Sequence, residues 1–463
     1  MKISPKKLAI MAAGGPAPGI NSVIAAATIR ASLEDIDVLG ILDGFKWIMR
    51  GDISHVRPLH IDTVSRIHFR GGSYIGIARD NPTYDPKLME QTVTSLLRLD
   101  VDKLITIGGD GTAYTAAKIE EIANGRIKVV HVPKTIDNDL DLPHGLSTFG
   151  YQTARHHGCE IIKNLMVDAH TTSRWYFVVS MGRKAGHLAL GIGNAAAATI
   201  SLIAEEFNGP YIRLQHIVDI LAGSIIKRLS YGRRDGVAIL AEGLVEHLHP
   251  EDLEKYFQVK RDPHGNIKLG RVNFGEVLQQ QVEYLMSEFR VDTTVVSKNI
   301  GYELRCADPI PFDMEYTRNL GSCAAEHILN GGNRVMVSIE RGHFRPLPFE
   351  EIMDKETGRA KMRMVDITSE AFATARRYMI RLNEKDFADP HAIAKYAATC
   401  GVSIDDFEKR FRHLIDDDKF LKIKNAKRKT TKNKTKKKKK KKKTTNKKNK
   451  NKKKKNNKKK KEN

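Results

Sequence analysis

Leu104-Ile105-Thr106-Ile107-Gly108-Gly109-Asp110-Gly111-Thr112 is an apolar run that stops on glycine and acid, and small and apolar residues at three- and four-residue spacing follow it over Tyr114–Ile122. A strand feeding a helix through a tight loop reads this way. Working outward, the same arrangement recurs: further apolar runs at Leu8–Met11, Val129–Val132, Trp175–Val179, Val237–Leu240 and Val335–Ile339 are separated by helical patterns such as Asn21–Leu33 and Ile217–Leu229. Continuous apolar strands joined by helical crossovers predict parallel sheets covered on both faces, an α/β fold.

In such sheets ligands bind beyond the carboxyl ends of the strands. The residues that follow the runs are therefore the candidates for chemistry: Gly14-Gly15-Pro16-Ala17-Pro18-Gly19, Gly108 to Thr112, Pro133-Lys134-Thr135-Ile136-Asp137-Asn138-Asp139, Ser180-Met181-Gly182-Arg183 and Ala241-Glu242-Gly243. Residues 245–300 are more polar and read as a peripheral insertion or connecting helices.

Composition narrows the class. The 463 residues carry a formal net charge of +23, but 26 of the 78 basic residues and a single glutamate lie in 421–463, leaving positions 1–420 at −2. The basicity belongs to a tail of Lys, Asn and Thr without apolar periodicity, expected to be disordered and to bind polyanions weakly and without specificity. Lys, Asn and Thr share A-rich codons, so the tail also reads as a functionless extension or an artefact of low-complexity DNA. No run approaches the roughly 18 apolar residues of a membrane helix. The four cysteines, Cys159, Cys306, Cys323 and Cys400, are scattered without metal-ligand spacing, which suits a reducing, cytoplasmic setting.

Gly108 to Thr112 joins backbone N–H groups and a helix N-terminus to one carboxylate, a combination suited to a polyphosphate with a magnesium ion on Asp110. By itself it fits several kinases, those acting on NAD and on lipids included. Asp137 and Asp139, two positions apart at a strand end, divide naturally into one carboxylate that accepts a hydroxyl proton and one near the metal, with Thr135 free to bond a phosphate or a sugar. Single residues have plainer readings: Met181 as core packing, Arg183 or Arg305 as surface ion pairs. Glu242, at the end of a buried run, requires polar partners, and sugar hydroxyls are suitable ones.

Taken together, Gly14–Asn21, Gly71-Gly72-Ser73 to Ala78-Arg79, Gly108–Thr112, Pro133–Asp139, Met181-Gly182-Arg183, Glu242 and Tyr302–Arg305 resemble the 6-phosphofructokinase family, in family order from position 8 to about 345. The segment Met181–His187 resembles the branch that contains both ATP- and pyrophosphate-using members. The resemblance implies two interleaved Rossmann-like three-layer α/β/α domains, with the active site in the cleft between them. Residues 1–140 would mainly bind the donor, and 141–400 mainly the sugar phosphate, with the chain crossing back; the catalytic region would end at 420. The substrate would be fructose 6-phosphate, phosphorylated at its 1-hydroxyl by a homodimer or homotetramer.

The resemblance also implies roles. Asp137 would be the base, with Thr135, Lys134 and Arg79 assisting phosphoryl transfer. Gly14, Arg79, Asp80, Gly109, Asp110, Gly111 and Thr112 would bind the donor. Thr135, Ile136, Asp137, Met181, Gly182, Arg183, Glu242, Tyr302, Glu303, Leu304 and Arg305 would bind the sugar phosphate, and Arg174 would reach a neighbouring subunit's substrate. A second cross-subunit arginine of the family is absent: Val296 stands at its spacing, with Lys298 nearby. Two positions bear on the donor. Gly111 leaves room for the α-phosphate of ATP, where pyrophosphate enzymes usually carry Asp; Lys134 is a cation that accompanies pyrophosphate use. The steric permission at Gly111 makes ATP the expected donor and pyrophosphate the alternative. Other functions in view are an NAD or lipid kinase and a polybasic nucleic-acid-binding protein.

Overall fold

The computed structural model describes residues 7–257, 272–354 and 360–424, together with 426 and 428. The strands are β1 Lys7–Ala12, β2 Val38–Ile41, β3 Val56–Leu59, β4 Val101–Gly108, β5 Lys128–Thr135, β6 Phe149–Gly150, β7 Trp175–Ser180, β8 Ile200–Leu202, β9 Gly236–Ala241, β10 Val295–Ile300, β11 Val335–Glu340 and β12 His343–Pro348. They form two sheets. The first runs β12-β11-β5-β4-β1-β2-β3, with β6 beside β5; the second runs β10-β7-β9-β8. Ladders are parallel except at the edges of the first sheet, where β3 pairs antiparallel with β2 and β12 with β11.

Burial on both faces explains the parallel pairing. Along β1, Leu8, Ile10 and Ala12 join one core with Ile20, Val23 and Ile24. Ala9 and Met11 join another with Val93, Leu96, Ala116 and Ile119. Each domain is thus three layers, helix on sheet on helix. In the second sheet Tyr176 and Val178 extend the first of these cores, while Trp175, Phe177 and Val179 pack with Ile217, Leu221 and Phe407. One continuous core therefore runs beneath both domains, which fixes the walls of the cleft.

Two expectations change. For the described residues of 245–300 the reading as connecting helices holds, with Pro250–Tyr256 and Phe274–Glu288 helical, and the peripheral insertion does not: β10 lies in register with β7 from Val295↔Trp175 to Ile300↔Ser180, and Phe274, Leu278, Val282 and Met286 fill the second core. Strands β11 and β12 join the first sheet after the strands of the second have been laid down. The final helical residues continue past 420 to Lys424, and Leu421 is buried in the shared core. Residues 429–463, where most of the basic tail falls, lie outside the described residues. Among the described residues no helix is long and apolar enough to cross a membrane, and all four cysteines are free thiols.

Candidate active site

The carboxyl ends of β1, β4 and β5 meet those of β7, β9 and β10 around a cavity of about 780 Å3. On the first sheet β1 is flanked by β2 on one side and β4 on the other. The chain leaves in opposite directions from that point, so a crevice opens between the following loops.

The loop after β1 is held by the Gly14 N–H, which donates to the Ala78 carbonyl at 2.9 Å. Gly14 adopts φ +91, a left-handed conformation open to glycine. The bond brings Arg79 alongside: a side-chain carbon on Gly15 would stand 3.6 Å from the Arg305 guanidinium and 3.9 Å from that of Arg79. Lys134, only 4% exposed, donates from its ammonium to the Gly15 carbonyl. Three cations thus converge on Gly14-Gly15. Burial pushes Lys134 down to about 8, opposed by Asp137 and assisted by Arg305 and Arg79.

Carboxylates lie among these cations. Asp137 is pushed up to about 8, chiefly by burial and then by Asp139 and Glu242, against the Arg183 backbone N–H and Lys134. Burial raises Asp139 too, as does neighbouring Asp110. Glu242 is also raised by burial and accepts from the Gly182 N–H at 3.0 Å. The turn carrying Asp137 and Asp139 is clamped from a distant segment. Arg363 donates to the Asn138 carbonyl at 3.0 Å and to the Leu146 carbonyl at 2.7 Å, while the Thr148 hydroxyl donates to the Thr135 carbonyl at 2.7 Å.

Beneath the Gly-Gly-Asp-Gly loop lies His131, fully buried on β5. Its Nδ1 is 2.8 Å from the Thr106 hydroxyl and its Nε2 3.0 Å from the Gly108 carbonyl. Burial pushes the ring down to about 3, so it is neutral, donating from Nε2 to Gly108 and accepting at Nδ1 from Thr106. This pins the start of the loop to the neighbouring strand. Helix Asp110–Ala123 follows directly, aiming its free N–H groups into the cleft.

Most of the expected residues line this one cavity: Gly14, Arg79, Asp80, Gly109, Asp110, Gly111 and Thr112 on the donor side; Lys134, Thr135, Ile136 and Asp137 between; Met181, Arg183, Glu242, Tyr302, Glu303 and Arg305 opposite. Three do not. Leu304 has 0% exposure and packs in the shared core, because the short helix Tyr302–Arg305 turns that position inward; its side chain is not a sugar contact. Gly182 lies behind the wall and acts on Glu242 through its N–H. Arg174 precedes β7, at the end away from Met181, so it does not enter this chain's own cavity. Asp80 is engaged by Arg50 at 3.0 Å.

His131, Lys184 and Arg363 went unassigned in the sequence. His131 had a signal, a polar residue within an otherwise apolar buried strand, which demands partners. Lys184 sat inside the Met181–His187 segment. Arg363 had none, since nothing local marks residues 360–368.

Two parallel-sheet domains closing on a cavity lined by both phosphate-seeking cations and carboxylates define a phosphotransferase. The chain belongs to the phosphofructokinase family, whose model, Phosphofructokinase, matches residues 7–328. It is 46% identical over 413 residues to the pyrophosphate–fructose 6-phosphate 1-phosphotransferase of Thermotoga maritima, covering 88% of this chain and 98% of that one. It is 44% identical over 425 residues to the enzyme of the same name from Naegleria fowleri, covering 89% and 97%. In fold it is similar to the pyrophosphate-dependent phosphofructokinase of Marinobacter aquaeolei, with a TM-score of 0.59 at 17% identity, over 81% of this chain and 92% of that one.

These relatives overturn the expectation that ATP is the favoured donor. The physical reason lies in what each position does. A side-chain carbon on Gly111 would meet nothing within 4 Å; open space admits a nucleotide but holds none. Lys134 is a cation fixed within the cavity wall, and of the two positions it is the one that carries a charge.

Proposed function

We propose that this protein is a pyrophosphate-dependent fructose 6-phosphate 1-phosphotransferase, forming fructose 1,6-bisphosphate and orthophosphate. The observation that carries the reading is buried Lys134 at Gly15, among Arg79, Arg305 and the base Asp137, together with the 46% identity to the Thermotoga maritima enzyme. Asp137 takes the proton from the 1-hydroxyl, whose oxygen attacks one phosphorus of pyrophosphate; the bridging P–O bond breaks, and the departing orthophosphate carries away the electron pair. Arg79 and Lys134 meet the charge that builds on the transferring group and the leaving oxygen. Met181, Arg183, Glu242, Tyr302, Glu303 and Arg305 hold the sugar phosphate, with Glu242 on hydroxyls. In a homo-oligomer Arg174 is left to serve the cavity of a neighbouring copy. Free thiols on all four cysteines fit a reducing, cytoplasmic setting, and the reaction read here is a step of glycolysis.

Magnesium suits the donor set. Among the described residues no group of three or more His, Cys, Asp and Glu could hold a metal, whereas Asp110 and Asp139 share the cavity. One or two carboxylates completed by substrate phosphates is how magnesium is ordinarily held. The ion, when bound, supplies neutralisation of the diphosphate oxygens. The test of the reading is the product: phosphorus NMR of full-length protein with fructose 6-phosphate, magnesium and pyrophosphate should show a new phosphate ester on O1 and one orthophosphate for each. Appearance of orthophosphate alone would mean a pyrophosphatase.

The shifts of Asp137 and Lys134 imply a pH profile. Asp137 is the base only when deprotonated, so kcat/KM for fructose 6-phosphate should rise as pH climbs through about 8. Lys134 is cationic only below its own value of about 8, so the rate should fall above it. A bell centred near pH 8 is expected; a profile flat across that range would remove these two groups from the chemistry.

A further inference from the structure

Lys184 follows β7 in the second domain, and its ammonium lies 3.3 Å from Asp110 Oδ2, on the first helical turn after β4. The contact spans the cleft. Both residues line the cavity, where Asp139 is a third member of the group. Lys184 favours the ionised form of Asp139 while Asp110 opposes it. The Lys184 ammonium therefore sits beside the two carboxylates that suit a magnesium ion, in contact with Asp110.

The pair does not behave as structural cement. Lys184 and Asp110 are 36% and 37% exposed, whereas a pair that ties elements together, Arg381 with Glu206, is 7% and 1% exposed. A half-exposed ion pair adds little to stability and is broken at little cost. The long lysine stem also lets the ammonium move without moving the backbone.

We propose that Lys184 is an exchangeable counter-ion: it neutralises Asp110 while the cleft holds no donor, and releases it to bind phosphate oxygens when the metal–pyrophosphate complex enters. This rests on the pyrophosphate reading above. The charge balance favours the exchange, because once Asp110 has the metal as its partner, Lys184 faces a polyanion within the same cavity. The residue thereby discourages the cation from loading without its donor.

The test uses the full-length protein and Mn2+ as a paramagnetic probe. Without donor, Lys184→Met should bind Mn2+ about fivefold tighter than the unaltered protein, the scale of a half-exposed ion pair. Its half-saturating pyrophosphate concentration should rise at least about tenfold, from loss of a charge-assisted phosphate contact. Lys184→Arg should bring both values back toward those of the unaltered protein, and an unchanged half-saturation for fructose 6-phosphate should show the cleft intact. Unchanged Mn2+ affinity in Lys184→Met, or unchanged pyrophosphate saturation, overturns the exchange. Failure of the unaltered protein to bind pyrophosphate overturns the donor reading instead; the Mn2+ titration contains no donor and still decides whether Lys184 guards Asp110.

Discussion

Asp137→Asn should lower turnover by roughly 10²–10⁴-fold, the usual contribution of a positioned general base, while fructose 6-phosphate still binds. The amide keeps the shape and the hydrogen-bonding reach of the carboxylate but accepts no proton from the 1-hydroxyl. Its surroundings argue for function, since burial together with Asp139 and Glu242 holds this carboxyl far above the usual range. A merely structural carboxylate would be expected among donors that stabilise its charge. The backbone around it is set independently, by Arg363 on Asn138 and by Thr148 on Thr135, so the substitution should leave the turn in place. Calorimetric binding of fructose 6-phosphate beside steady-state kinetics checks both halves. Turnover within tenfold of the unaltered protein, with binding intact, would move the base elsewhere.

Lys134→Met should cost roughly 10²–10³-fold in pyrophosphate-dependent turnover, the range seen when a fixed electrostatic contact to a developing charge is lost. Methionine matches the length of the buried stem, so packing is nearly preserved and the charge is what disappears. A second consequence follows from the pair. Lys134 favours the ionised form of Asp137, and without it that carboxyl should titrate higher. The ascending limb of the pH–rate profile should therefore move to higher pH in Lys134→Met. Unchanged pyrophosphate turnover, or a limb that stays in place, would show that Lys134 is too far from the reacting groups to matter.

Much of this site was legible because strand ends in a parallel sheet collect chemistry. The runs Leu104–Ile107 and Val129–Val132 fall inside β4 and β5, and the residues after them line the cavity. What remained hidden depended on the third dimension. The strand Val295–Ile300 has exposed and half-buried residues at its centre, so its pattern lacks the apolar run that marked the others. Leu304 shares a motif with Arg305, yet one turn of helix directs it into the core. Arg363 acts on Asn138 from 225 positions away, a distance at which no local pattern can signal contact. The donor is not legible from Gly111 for a different reason: a side chain there would meet open space, and space alone selects nothing.

The measurement that bears most directly on the function compares kcat/KM for pyrophosphate and for ATP in the purified full-length protein, with saturating fructose 6-phosphate and magnesium. Pyrophosphate should support turnover at a kcat/KM at least about a hundredfold above that for ATP, in keeping with a site that discriminates through fixed charged contacts. Turnover with ATP at equal or greater efficiency would contradict the assignment of Lys134 and the donor with it.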